Sequence, residues 1–107
     1  MLLDDLQTPL QALIEALPIQ RRGRGNPIIR GISSDSRHVV PGNLFIAKPG
    51  HLSDGDHYIA SAIHAGAVAI LARRPHPCFL DTPQVIAEDL LEVEAQILSR
   101  YYRKPLE

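Results

Sequence analysis

At 107 residues the chain can build one hydrophobic core but not two, because a domain of this size buries only about two-thirds of the surface its unfolded chain exposes. Its 45% hydrophobic and 21% charged residues are those of an ordinary folded domain and exclude disorder and fibrous folds; a formal net charge of -1 supplies no general pull toward nucleic acid or anionic membrane. The single cysteine, Cys78, excludes an internal disulfide and a multi-cysteine zinc site, and the acids in MLLDDLQTPL stand where a secretory signal carries bases, so a cytoplasmic location is expected.

Thr8-Pro9 reads as an N-cap and first helical position. Leu10, Leu13, Ile14 and Leu17 then fall at i, i+3, i+4 and i+7, which predicts an amphipathic helix ended by Pro18. The stretch QRRGRGNP has no periodicity and predicts a solvated basic loop. A phosphate contact is the alternative there, but no Gly-Lys-Ser/Thr follows, so it is not a nucleotide P-loop. Ile28, Ile29 and Ile32 predict a first strand leading into SSDSR, and Leu44 to Ala47 predict a second, with Pro41-Gly42 as a turn between them and too few residues for a helical crossover.

From Asp56 onward Ile59, Ala62, Ile63 and Gly66 share a helical face, with Asp54 or Asp56 as the expected cap and Gly66 as the end. Ala67 to Ala72 is a continuous apolar run, as expected of a central strand covered on both faces. RRPHPCFLDTP contains three prolines and predicts a loop, and Gln84 to Ala87 a short strand. Leu90, Val93, Ile97 and Tyr101 recur every three or four residues, with Arg100, Arg103 and Lys104 favourable near the negative end and Pro105 as the stop, so the last element is a helix. Together these elements predict an α/β single domain of three layers, α/β/α, around a small mixed, Rossmann-like sheet.

The catalytic candidates are few. The five histidines form no His-Glu-x-x-His pattern, and His57 and His64 stand two helical turns apart, too far for one metal. Ser36 has no sequence-placed base, and an Asp-Ser pair ordinarily serves turns and caps. Binding is better supported: SSDSR follows one strand and KPGHLSDG the next, and polar loops at strand ends are where α/β sheets take ligands.

The residues Asp35-Ser36-Arg37, Pro41-Gly42, Leu44-Phe45, Ala47, Gly50-His51, Asp54-Gly55 and Ala62-Ile63 with Gly66-Ala67, in that order, resemble the N-terminal domain of the Mur ligases. Val85-Ile86, Asp89-Leu90 and Arg100-Tyr101-Tyr102 followed by Pro105 resemble the end of that domain, so the likeness covers nearly all of the chain from Gly31. Gly-His-x-x-Asp-Gly, from Gly50 to Gly55, resembles the tripeptide-synthetase branch, which adds the third peptide residue; the ligases that add the terminal dipeptide more usually have Gly-Glu and Asp-Gly-His.

The resemblance implies that residues 1–107 hold the uridine diphosphate end of UDP-N-acetylmuramoyl-L-alanyl-D-glutamate. The contacts it implies are Ser34, Ser36, His51, Leu52 and Ser53, supported by Asp35 as a turn cap and Arg37 on loop carbonyls. It implies no catalytic residue, metal or cofactor in this chain. The ATP motif Gly-x-x-Gly-Lys-Thr would begin past Glu107, and ATP and magnesium would act in the complete enzyme. The expected partners are that nucleotide substrate and an ATP-binding central domain, with no nucleic acid and no membrane. Two alternatives stay open: a freestanding interaction module of the same fold, and the corresponding domain of the terminal-dipeptide ligase.

Overall fold

The structure, a computed structural model, describes residues 7–48, 58–79 and 81–102. Its central sheet is built from β2 (Gln20–Arg22), β4 (Ile32–Ser33), β5 (Leu44–Ile46), β6 (Ala69–Ala72) and β7 (Gln84–Ile86), in the spatial order β2-β7-β6-β5-β4. Strands β4 to β7 are mutually parallel, and β2 runs antiparallel to β7 at one edge. A second, two-stranded sheet pairs β1 (Thr8–Pro9) with β3 (Ile28–Ile29). The helices are α1 (Leu10–Ile14), α2 (Ile59–His64) and α3 (Leu90–Tyr101).

Successive strand side chains point to opposite faces, and that alternation divides the core into two. Leu44, Ile46, Ala69, Leu71, Val85 and Ala87 face α1 and α3, where Leu13, Val93 and Ile97 meet them fully buried. Phe45, Ala47, Ile70 and Ala72 face the other way and pack on Ile59 and Ala62 of α2 and on Val39. The result is the expected three layers. The apolar run at β6 is buried at every position, because that strand sits between two neighbours and under helices on both faces. The four residues expected on the inner face of α3 are all buried, and Asp89 Oδ1 caps that helix by accepting from the Glu92 amide at 3.2 Å.

Three expectations are corrected. Thr8 and Pro9 do not begin the helix: they pair with Ile29 and Ile28, and the first helical amides are taken by Pro27 O (2.9 Å) and Asn26 Oδ1 (2.8 Å). Strand pairing and a cap from a distant loop replace a local Thr cap. The helix also stops at Ile14, a turn before Pro18, where Ala16 has φ 66° and Arg100 Nη1 donates to the carbonyls of Leu13 and Glu15 at 3.2 and 2.8 Å. The start of QRRGRGNP is not loop: Gln20 to Arg22 form an edge strand in register with Ile86 to Gln84. An edge strand needs only one paired side and tolerates charged residues, so it has no apolar pattern to read.

The third correction is that Ile28, Ile29 and Ile32 do not share one strand: Ile28–Ile29 pairs with Thr8–Pro9, whereas Ile32–Ser33 joins the central sheet beside β5. The link from β4 to β5 is as short as expected. No α-helix fits there, yet the strands are parallel, with Ile32 opposite Leu44, because one 3-10 turn (Ser36–His38) and the Pro41-Gly42 turn complete the crossover. That tight path is held by Asn43, only 5% exposed. Its Oδ1 accepts from the Val40 amide (3.0 Å), its Nδ2 donates to Arg30 O (3.2 Å), and its backbone carbonyl accepts from the Val68 amide (2.9 Å). Gly31 and Gly66, both at positive φ, permit the approach: a Cβ would lie 2.6 Å from Asn43 Nδ2 at the first and 2.5 Å from Pro41 Cα at the second.

On the β6 to β7 side, the buried Gln84 takes the same role, accepting from the His76 amide at 2.6 Å and donating to His76 O at 3.2 Å, which pins the proline-rich loop. Strand β5 ends one residue before the expected Ala47, β6 starts two residues after Ala67, and the expected caps of α2, Asp54 and Asp56, lie outside the described residues. Among the described residues no helix is long and apolar enough to cross a membrane.

Replacing Asn43 by alanine leaves the Val40 amide and the Arg30 carbonyl without that partner, and should destabilise the fold by roughly 2 kcal/mol, read as a lowered urea midpoint at unchanged m-value. An unchanged midpoint would show that water replaces both bonds at no cost.

Candidate functional site

Because β4 to β7 are parallel, their C-terminal ends lie along one edge of the sheet. That edge presents Ser34 to Arg37 after β4, Ala47 and Lys48 after β5, Arg73 after β6, and Ala87 to Asp89 after β7. The turn after β4 is braced locally. Ser33 Oγ donates to Asp35 O at 2.9 Å and accepts from the Asp35 amide at 3.1 Å. Asp35 Oδ1 accepts from the Arg37 amide (2.9 Å), which caps the 3-10 turn in the manner usual for Asp before a helical turn.

Arg37 returns its guanidinium onto the same carboxylate, Nε to Oδ1 at 3.1 Å and Nη2 to Oδ2 at 2.9 Å, a two-point fork. Its charge therefore rests on Asp35 rather than on loop carbonyls. The guanidinium's hydrogen bonds, then the Arg37 amide, lower the Asp35 pKa from its ordinary 3.8 to about 2, with the charges of Arg37 and His38 adding to the effect; the same bond and charge raise the Arg37 pKa. His38 Nδ1 stands 3.5 Å from Oδ2.

Ser34 is exposed and Ser36 half-buried, and among the described residues neither hydroxyl is engaged in a side-chain bond. With the carboxylate satisfied by Arg37, the turn presents two free hydroxyls rather than a free negative charge. The structure thus brings Ser34, Asp35, Ser36 and Arg37 together on one turn. His51, Leu52 and Ser53 lie outside the described residues.

Sequence reasoning missed the other half of this edge. Lys48 pairs with Glu94 of α3 (Nζ to Oε2, 2.9 Å), and a cavity of about 250 Å³ opens between Lys48, Arg73, Asp89, Leu90 and Leu91. A neighbouring cavity of about 460 Å³ lies between Leu17 to Gln20, Arg73, Ile86 and Glu88. The signal available in the sequence was positional: Lys48 and Arg73 each stand immediately after an apolar strand segment, at the end where α/β sheets bind ligands. Among the described residues no group of three or more His, Cys, Asp or Glu side chains is placed to hold a metal ion.

The chain is a three-layer α/β domain that gathers hydroxyls and cations on the carboxyl edge of its parallel strands, the edge where α/β sheets commonly take ligands. The chain belongs to the Mur ligase family: residues 28–102 match the family described as "Mur ligase family, catalytic domain". It is 36% identical over 97 residues to a UDP-N-acetylmuramoyl-L-alanyl-D-glutamate--2,6-diaminopimelate ligase of Chlamydia trachomatis, covering 90% of this chain and 20% of that protein. Over 98 residues it is 39% identical to a protein of the same name from Geobacillus thermodenitrificans, covering 90% of this chain and 19% of the relative.

The chain therefore spans about a fifth of the length of these relatives. In fold it is similar to a crystal structure of MurF from Acinetobacter baumannii, with TM-score 0.75 and 22% identity over 90% of this chain and 21% of that one. At that identity the likeness is one of fold.

Asp35 stabilises the turn fully above its ordinary pKa and loses that contribution as the pH falls through the lowered one, so the turn should hold at pH 4 and release near pH 2. A carboxyl-detected NMR titration should give Asp35 a midpoint near 2, and Arg37→Ala should return it toward 3.8. A midpoint near 3.8 in the unsubstituted chain would show that the fork does not form in solution.

Proposed function

We propose that this chain is the substrate-nucleotide-binding domain of a peptidoglycan-precursor ligase, and that it holds the uridine diphosphate end of UDP-N-acetylmuramoyl-L-alanyl-D-glutamate. The observation that carries the reading is the braced turn after β4, with its two unengaged hydroxyls, in a chain whose relatives are named as ligases of that nucleotide. The hydroxyls of Ser34 and Ser36 donate to and accept from uracil or ribose, and the turn holds them without a change of protonation near neutral pH. The fork between Arg37 and Asp35 leaves no unpaired carboxylate beside the bound nucleotide. His51, Leu52 and Ser53, which follow β5 in the chain, complete the set in this reading.

In the complete ligase the nucleotide end is held here while the glutamate γ-carboxylate extends toward an ATP-binding central domain. ATP and magnesium bound in that domain would supply the phosphoryl group that activates the carboxylate, with release of ADP, and the incoming amine would then displace phosphate to form the amide. The names of the relatives support 2,6-diaminopimelate as the amino acid joined. They also favour this branch over the terminal-dipeptide ligases, since the likeness to MurF is of fold only. A cytoplasmic location goes with this reading, as ATP and the nucleotide substrate are both found there.

An isotope-labelled chain titrated with the UDP-N-acetylmuramoyl dipeptide should show amide shifts concentrated in Ser34 to Arg37 and none with ATP. Ser36→Ala should weaken binding about fivefold, the scale of one lost hydrogen bond. A folded chain with no shifts at millimolar ligand would sink the reading in favour of a freestanding interaction module.

A further inference from the structure

Arg73 follows β6 directly and, among the described residues, is the one cation that borders both strand-end cavities. No described residue forms a hydrogen bond or ion pair with it. The other charges of this edge are committed. Lys48 is paired with Glu94, and Asp89 Oδ1 is turned onto the Glu92 amide at 3.2 Å. Glu88, at the wall of the larger cavity, opposes an anion there with Arg73 as the one cation; the smaller cavity also has a carboxylate in its lining, Asp89, but sets two cations against it, Arg73 and Lys48, whose ammonium keeps two further hydrogens after the one given to Glu94.

Neighbouring strands stand about 4.8 Å apart, so the ends of β4 and β6, separated by β5, lie roughly 10 Å apart. An extended nucleoside diphosphate covers a span of that order, with its base and sugar at one end and its phosphates at the other.

We infer that the cavity between Lys48 and Arg73 receives the diphosphate of the bound nucleotide, with the Arg73 guanidinium as its principal donor. The inference rests on the nucleotide-binding role proposed above and extends it across the sheet from Ser34 and Ser36 to the end of β6. Guanidinium suits this task, since its planar fork matches two phosphate oxygens at once. Arg74, the next residue, is also exposed but borders neither cavity, which provides an internal control for charge alone.

The test compares uridine and UDP binding by calorimetry, with amide spectra to confirm folding, for the unsubstituted chain, R73Q and R74Q. The expected result is that UDP binds more tightly than uridine, that R73Q weakens UDP about tenfold while leaving uridine unchanged, and that R74Q alters neither. An unchanged ratio of UDP to uridine affinity in R73Q, or an equal loss in R74Q, overturns the assignment of Arg73 while leaving the nucleotide role standing. Failure of the unsubstituted chain to bind either compound overturns the nucleotide role itself, and this inference with it.

Discussion

The short crossover between β4 and β5 depends on one buried amide. Asn43 bonds across the Pro41-Gly42 turn and to Arg30 with its side chain, and to Val68 with its backbone carbonyl, so three separate segments are tied at the amino-terminal edge of the sheet. Ten residues, 34–43, would ordinarily be short for joining parallel strands, and it is this clamp, with glycines at 31 and 66 giving room, that makes the path available. With β4 and β5 parallel, their carboxyl ends coincide, and the turn carrying Ser34 and Ser36 is delivered to the same edge as Lys48 and Arg73.

The two halves of that edge are stabilised in different ways. The turn after β4 is held by bonds among residues two positions apart, so its shape is largely a local matter, and the depressed pKa of Asp35 keeps it intact well into acid. The Lys48 and Arg73 side depends on long-range placement: α3 must dock on the sheet before Glu94 can meet Lys48 and before Leu90 and Leu91 can close the cavity. Arg100 shows the same dependence from the other end of α3, since its guanidinium finishes the short helix α1 some 85 residues earlier in the chain. Docking of α3 thus supports both the cavity and the amino-terminal helix.

Polar residues in this core act as fasteners. Asn43 and Gln84 are the buried polar residues among those described, and each satisfies a loop whose backbone groups would otherwise lack partners: the Pro41-Gly42 turn for one, the loop containing Pro75 and Pro77 for the other. No buried side-chain nitrogen or oxygen among the described residues is left without a bond. The apolar layers can then remain free of polar atoms, which suits a domain with only one core to spend on two helical faces.

By itself the sequence determined the elements whose periodicity is set by burial: the run at β6, the strand at β5, and the inner face of α3, where Leu90, Val93, Ile97 and Tyr101 are all buried. It also determined the polar turn Ser34 to Arg37, because capping by Asp35 is a local reaction of neighbouring residues. Only the tertiary structure decided that Thr8-Pro9 and Gln20 to Arg22 are strands, since their partners lie at Ile28-Ile29 and Gln84 to Ile86 and edge pairing leaves no apolar pattern to read. It alone decided that β4 and β5 run parallel, and it alone brought Lys48, Arg73 and the start of α3 around one cavity. Those features are contacts between segments distant in the chain, and a contact of that kind is fixed by docking, which no local pattern of residue types encodes.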